Sequence, residues 1–246
     1  MEGSMRILIL HGNFESELDW KPFVEAVGSK SLNKENIEVE VFNLWDFLKR
    51  NNPQSWASFV EEFKKHYRDN AFDCVVGYSL GGRILLALLD TGWLVQKAVF
   101  LSTHTGLSSE EDRHSRIWND LKWKEKVLSL GWKELYEEWN SQEVFARDTL
   151  LIYENFASLE SLRSEIAHAF DVLSLGRSQD FTQSLVSLSL KMELNWCTGE
   201  LDTKFGALAK SLAEKAPRIQ FKSLKGAGHR IHRSNPAVLD EIVSLL

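Results

Sequence analysis

No apolar run in the sequence approaches the roughly 20 residues that a membrane-spanning helix needs. The amino terminus also lacks an export signature. Met1-Glu2-Gly3-Ser4 carries no basic patch, and Met5-Arg6-Ile7-Leu8-Ile9-Leu10 is too short for a signal core. We set the first four residues aside and read the stretch after them as a buried strand. Cysteine is scarce: Cys74 and Cys197 each lie inside an apolar, strand-like run, which predicts buried free thiols and no disulfide framework. These absences together predict a cytoplasmic protein. No lysine/arginine stripe stands out and the formal charge is −6, which argues against nucleic acid as a partner. An anionic substrate would then be held by a few local arginines, not by the field of the whole molecule.

What is present is a soluble-protein composition, 43% hydrophobic and 26% charged, in 246 residues. That length suits one sizeable domain, expected over 5–246, as a monomer or weak homo-oligomer. Short β-rich runs at Arg6–Leu10, Glu38–Phe42, Cys74–Tyr78 and Lys97–Ser102 alternate with helical patterns such as Trp56 to Tyr67. Such alternation predicts an α/β fold with a mostly parallel central sheet and helices on both faces. From about 104 to 190 the strand signal disappears and charged helical patterns take over, as in an inserted helical cap. Sheet texture returns at Met192–Cys197 and Ile219–Leu224. A last helix is expected at Ser234-Asn235-Pro236, where a capping residue precedes proline.

The strongest local signal is Gly77-Tyr78-Ser79-Leu80-Gly81-Gly82, a G-x-S-x-G between a strand and an apolar helix. This is the setting of a nucleophile elbow in the α/β-hydrolase fold. The Leu80 N–H at the helix start can face a developing oxyanion, and the Asn13 N–H in His11-Gly12-Asn13 is the candidate second donor. A base and an acid must follow in the order Ser, Asp or Glu, His. His11 and His66 precede the serine; His104, His114 and His168 come too early or lie in the cap. His229, in Gly226-Ala227-Gly228-His229, is the candidate base, exposed on a flexible loop, and His232 reads as a loop or cap residue. Asp202, just beyond a strand end, is the candidate acid, with Glu200 as its rival.

Three stretches carry a resemblance. Thr198 to Phe205 with Ala207-Leu208-Ala209, Gly226 to Pro236, and Gly77 to Arg83 resemble the 2-succinyl-6-hydroxy-2,4-cyclohexadiene-1-carboxylate synthase family, menaquinone-pathway lyases with the α/β-hydrolase fold. Arg116 before Asp120, Trp139 with Gln142, Val144 and Phe145, and Leu162-Arg163-Ser164 are similar to family segments in the cap. The resemblance implies that Arg83, Arg116 and Arg163 bind the carboxylates of a small polycarboxylate substrate, with Trp139 and Tyr78 at the pocket. It also implies that the triad serine acts as a base and expels pyruvate without an acyl-enzyme; no metal or cofactor is expected. The chain departs from the family pattern at Asn13, at Thr105-Gly106-Leu107, at Asn43 to Phe47 and at Glu143.

Arg83 carries an independent argument. A cation in the first turn of a helix is disfavoured by the macrodipole at about 0.3–1 kcal/mol, a cost that an anionic ligand would explain. Trp139 carries none, since Trp132, Leu135, Tyr136 and Trp139 form a helical packing stripe. An esterase or thioesterase acting through an acyl-enzyme on Ser79 is the alternative reading, and a catalytically silent binding protein is a third.

Overall fold

The computed structural model describes residues 4–31, 36–68, 70–93, 95–148 and 159–246. Met1, Glu2 and Gly3, and residues 149–158 of the cap expected at about 104–190, lie outside the described residues. Six strands, β1 (Met5–Leu10), β2 (Ile37–Phe42), β3 (Cys74–Tyr78), β4 (Lys97–Leu101), β5 (Glu193–Gly199) and β6 (Gln220–Leu224), form one sheet in the order β2-β1-β3-β4-β5-β6. Every neighbouring pair is parallel. The chain leaves β1 for the edge strand β2 and returns to the other side as β3. The strand order therefore reverses at the carboxyl ends of β1 and β3, where open sheets of this kind leave a crevice.

Period-2 alternation sorts the strand side chains onto two cores. Ile7, Ile9, Val76 and Val99 pack with Trp20, Phe23 and Val27 on one face, where α1 (Lys21–Ser31) lies. Val238, Leu239 and Ile242 of the last helix close that face. Leu8, Leu10, Val75, Phe100 and Trp196 point the other way, towards α2 (Leu44–Asn51), α3 (Trp56–His66) and α4 (Leu80–Asp90). Each such side chain taken fully out of water contributes about 1.5–3 kcal/mol.

Between β4 and β5 the described chain carries α5 (Glu110–Ser129), α6 (Trp132–Asn140), α7 (Arg163–Val172) and α8 (Thr182–Leu188). α9 (Thr203–Lys215) follows β5, and α10 (Pro236–Val243) starts at its Asn235 cap with proline in the first turn. Local chemistry sets the other starts too: Asn43 accepts from Asp46 N (3.0 Å) at α2, and Ser109 from Asp112 N (3.2 Å) at α5. Among the described residues no helix is long and apolar enough to cross a membrane. Cys74 and Cys197 are free and buried, and burial pushes both thiols up to about 12.

Candidate active site

Ser79 occupies the turn from β3 into α4 with φ 50° and ψ −107°, a left-handed backbone that a non-glycine residue adopts only under strain. The surroundings enforce it. Ser79 N donates to Leu101 O (2.9 Å), and Arg83 N donates back to Ser79 O (3.2 Å). The two glycines that follow are sterically required. A β-carbon on Gly81 would stand 1.9 Å from Leu10 O, and one on Gly82 1.9 Å from Thr103 Oγ1. The start of α4 is thus pressed against the ends of β1 and β4, leaving Ser79 half-buried on a cavity wall. Leu80 heads α4, where backbone N–H groups lack intrahelical partners.

His229 lines the same cavity, and its Nδ1 lies 2.6 Å from Asp202 Oδ2. Both side chains are almost fully enclosed, 3% and 2% exposed, so the expected exposed base is instead a shielded one that reaches only the cavity. Rings of Phe205, Phe145 and Tyr78 stand 4.5, 5.5 and 5.5 Å from the imidazole. They exclude water from the His–Asp pair, which strengthens it. Glu200, the rival acid, faces away and accepts from Gly226 N (2.9 Å).

The cavity measures about 420 Å³. Among the described residues its wall carries six cationic side chains, Arg83, Arg116, Lys122, Lys126, Lys204 and Arg230, against two carboxylates, Glu15 and Asp120. Arg83 is buried and donates from Nη1 to Leu173 O (2.9 Å). Burial, and then the neighbouring Arg116, draw its pKa down to about 9, which leaves it cationic at neutral pH. Arg116 Nε donates to both Asp120 oxygens, at 2.9 and 3.0 Å, while Ser174 Oγ donates to Asp120 Oδ2 at 2.7 Å.

Arg163 departs from expectation. It does not reach the cavity: its guanidinium lies over the Trp132 ring (4.7 Å) and donates to Leu130 O (2.8 Å) and Val127 O. These are orphan carbonyls at the end of α5, so Arg163 serves as a cap for that helix. Arg230 lines the cavity instead. It lies over the Phe145 ring (3.8 Å) and donates from Nη2 to Asn140 Oδ1 (2.7 Å).

His104 also faces the cavity, although its position in the chain order of a triad gives it no role there. Its Nδ1 accepts from Gly106 N (3.1 Å), which leaves Nε2 as the protonated nitrogen. Burial, followed by Arg83, Arg116 and Lys204, draws its pKa down to about 4, so it is a neutral hydrogen-bond donor at neutral pH. Asn13, Tyr78 and Trp139 line the cavity as well. Trp139 packs on Phe14 (4.8 Å) and Trp123 (4.9 Å), so the packing stripe and the cavity wall are one surface.

His232 lies in the loop after β6, as expected, within a 3-10 turn over Ile231–Arg233. It is fully buried, stacked on Trp20 (centroids 4.2 Å, 17°) beside Tyr78. Its register, one turn beyond His229 in a short 3-10 segment, is the only hint that the sequence offers. His11 is structural: Leu44 N donates to its Nε2 (3.3 Å), its Nδ1 is 2.8 Å from Gly12 O, and burial lowers its pKa. A larger groove of about 660 Å³, between Trp56, Val60, Ala87 and Phe181, contains none of the expected site residues.

A family model described as the alpha/beta hydrolase family matches residues 7–242. The 2-succinyl-6-hydroxy-2,4-cyclohexadiene-1-carboxylate synthase of Salmonella newport (strain SL254) is 32% identical over 179 residues, which cover 70% of this chain and 67% of that relative. The chain belongs to the alpha/beta hydrolase family and, within it, to the family of these synthases. Solved structures agree on the fold. MenH from S. aureus superposes with a TM-score of 0.79 at 19% identity, covering 99% of this chain and 93% of that one. A carboxylesterase of the thaumarchaeon Nitrososphaera gargenis gives 0.72 at 15% identity, with 98% and 89% covered.

Proposed function

We propose that the protein is a carbon–oxygen lyase that expels pyruvate from 2-succinyl-5-enolpyruvyl-6-hydroxy-3-cyclohexene-1-carboxylate. The product is 2-succinyl-6-hydroxy-2,4-cyclohexadiene-1-carboxylate, made in the cytoplasm by a monomer or weak homo-oligomer. One observation carries the reading beyond the family: a hydrolase-type serine and His–Asp pair open into a cavity lined by six cations in an acidic protein. The substrate is a tricarboxylate, and charge-assisted bonds from Arg83 and Arg116 suit two of its carboxylates. With Arg163 engaged elsewhere, Lys204 is the cavity cation offered to the third, and Arg230, which faces Asp148 (3.7 Å), adds to the charge beside it.

In this reading Ser79 Oγ removes a ring proton while His229 takes the hydroxyl proton, and Asp202 holds the imidazole tautomer. The ring C–O bond breaks, its electron pair leaving on the enolpyruvyl oxygen; protonation of the enol carbon then gives pyruvate. The Leu80 and Asn13 N–H groups stabilise the charge that develops on the substrate. The esterase alternative draws on the shared fold of the thaumarchaeal carboxylesterase. Pyruvate release from the enolpyruvyl substrate, run beside hydrolysis of a short p-nitrophenyl ester, tests the two. The lyase reading expects pyruvate and unmodified Ser79 by rapid-quench mass spectrometry. A substrate-derived mass on the Ser79 peptide would overturn it.

A further inference from the structure

Glu15 is a buried carboxylate on the cavity wall that the reaction outlined above leaves unused. One of its oxygens, Oε2, accepts from Gly12 N (3.0 Å), the residue before Asn13. The other, Oε1, lies 2.9 Å from Nε2 of His232, close but off the line of a hydrogen bond. The two side chains are 4% and 0% exposed. One carboxylate therefore touches both loops that the proposed chemistry needs: the loop of Gly12 and Asn13 after β1, and the loop of His229 and His232 after β6.

The contact is braced on every side. The His232 ring lies flat on Trp20 and 4.3 Å from Tyr78, the residue before Ser79. Gly12 is pressed so tightly onto the Tyr78 ring that a β-carbon there would stand 2.8 Å from it. Trp45 Nε1 donates to the Glu15 backbone oxygen (2.6 Å). A second link runs parallel, from Arg233 Nη1 to Asp19 Oδ1 (2.8 Å), between the same two stretches of chain. Burial by itself would disfavour the Glu15 carboxylate, but His232, Arg233 and the Gly12 N–H outweigh it and hold it ionised.

We propose that Glu15 and His232 are positioning residues: a buried pair that clamps the Asn13 loop onto the His229 loop and so fixes the oxyanion donor relative to the base. A pair joined by a hydrophobic contact would leave the two loops free to slide. A carboxylate held by the Gly12 N–H on one side and set 2.9 Å from a buried imidazole on the other fixes the spacing of the two loops. This inference rests on the reading of Ser79 and His229 as the reacting groups. Neither Glu15 nor His232 touches substrate in it.

The test compares Glu15→Gln, His232→Gln and the double variant with wild type and Ser79→Ala, reading kcat and KM for pyruvate release and the melting temperature of each. Glutamine at position 15 can still accept from Gly12 N, and the double variant leaves no buried charge unpaired, so a folded protein remains to be assayed. A misplacement of about 1 Å costs up to about 100-fold in rate, so kcat is expected to fall about 10–100-fold with KM changed less than about threefold. The double variant should lose no more than the worse single one, because the two side chains act as a unit. A purely structural pair would lower the melting temperature and leave the kcat of the folded protein unchanged. Retained kcat in any folded variant, a loss confined to KM, or losses that multiply in the double variant would each overturn the proposal. Activity surviving in Ser79→Ala would overturn the functional reading instead.

Discussion

The carboxylate of Asp202 holds two partners at once: Oδ1 accepts from Phe205 N (3.1 Å), while Oδ2 lies 2.6 Å from His229 Nδ1. The same side chain caps α9 and orients the imidazole. Asp202→Asn separates the two roles. The amide oxygen can keep the cap, but an N–H facing His229 forces the wrong tautomer. We expect kcat for pyruvate release to fall about 10²–10⁴-fold with a melting temperature near that of wild type. Steady-state kinetics beside a thermal melt checks this, and a kcat within tenfold of wild type would contradict it.

Arg83 and Arg163 should part company under mutation. Arg83→Ala removes a buried cation from the cavity wall, and kcat/KM should weaken by about 1.5–3 kcal/mol. Arg163→Ala should leave kcat/KM within about threefold, while the end of α5 loses its donor and stability drops by about 1–3 kcal/mol. Kinetics and urea unfolding on both variants separate the outcomes. An Arg163→Ala enzyme with a large kinetic defect and unchanged stability would reverse the assignment.

His104 predicts acid sensitivity of a definite sign. Its pKa is 6.5 when unperturbed and about 4 in the fold. Between those values the unfolded chain binds more protons than the folded one, so stability is full above 6.5 and is lost as pH falls towards 4. The loss from this residue is at most about 3 kcal/mol. His104→Gln should flatten the pH dependence of urea unfolding in that window. Part of the slope will remain, because His11 is shifted in the same direction. An unchanged slope in the variant would sink this account.

Two glycines offer a contrast. Gly81→Ala places a methyl against the Leu10 carbonyl, and overpacking of a backbone contact costs about 1–3 kcal/mol or more. Because that contact seats Ser79, activity should fall with stability. Gly28, exposed in α1, would have nothing within 4 Å of an added methyl, and Gly28→Ala should stabilise by about 0.5–1 kcal/mol. Melting temperatures that move in the same direction for both would refute the steric reading.

The sheet and the serine turn are legible in the sequence because their signals are local. Val75-Val76 and Val99-Phe100-Leu101 are continuous apolar runs of buried strands, and Ser79 is announced by glycines within three residues of it. Asp202 and His229 follow from chain order. What is not legible depends on how distant segments meet. Arg163 and Arg230 are indistinguishable as isolated cations; only the packing of α5 on α7 turns the first towards helix carbonyls. His104 escapes because a rule of order selects triad members and says nothing of other cavity walls. Glu15 and His232 lie near opposite ends of the chain, and no periodicity connects them.

The charge on the cavity wall has the opposite sign to the molecule around it, and that contrast separates arrival from capture. Beyond roughly 10 Å at 0.1 M salt the ionic atmosphere hides individual side chains. At lower ionic strength an approaching tricarboxylate first meets the weak repulsion of a body with formal charge −6. Only at the mouth does it enter the attractive field of the six lining cations. Salt then acts on the two stages in opposite directions, easing the encounter and loosening the hold. An uncharged ester would pass through the same entrance indifferent to both.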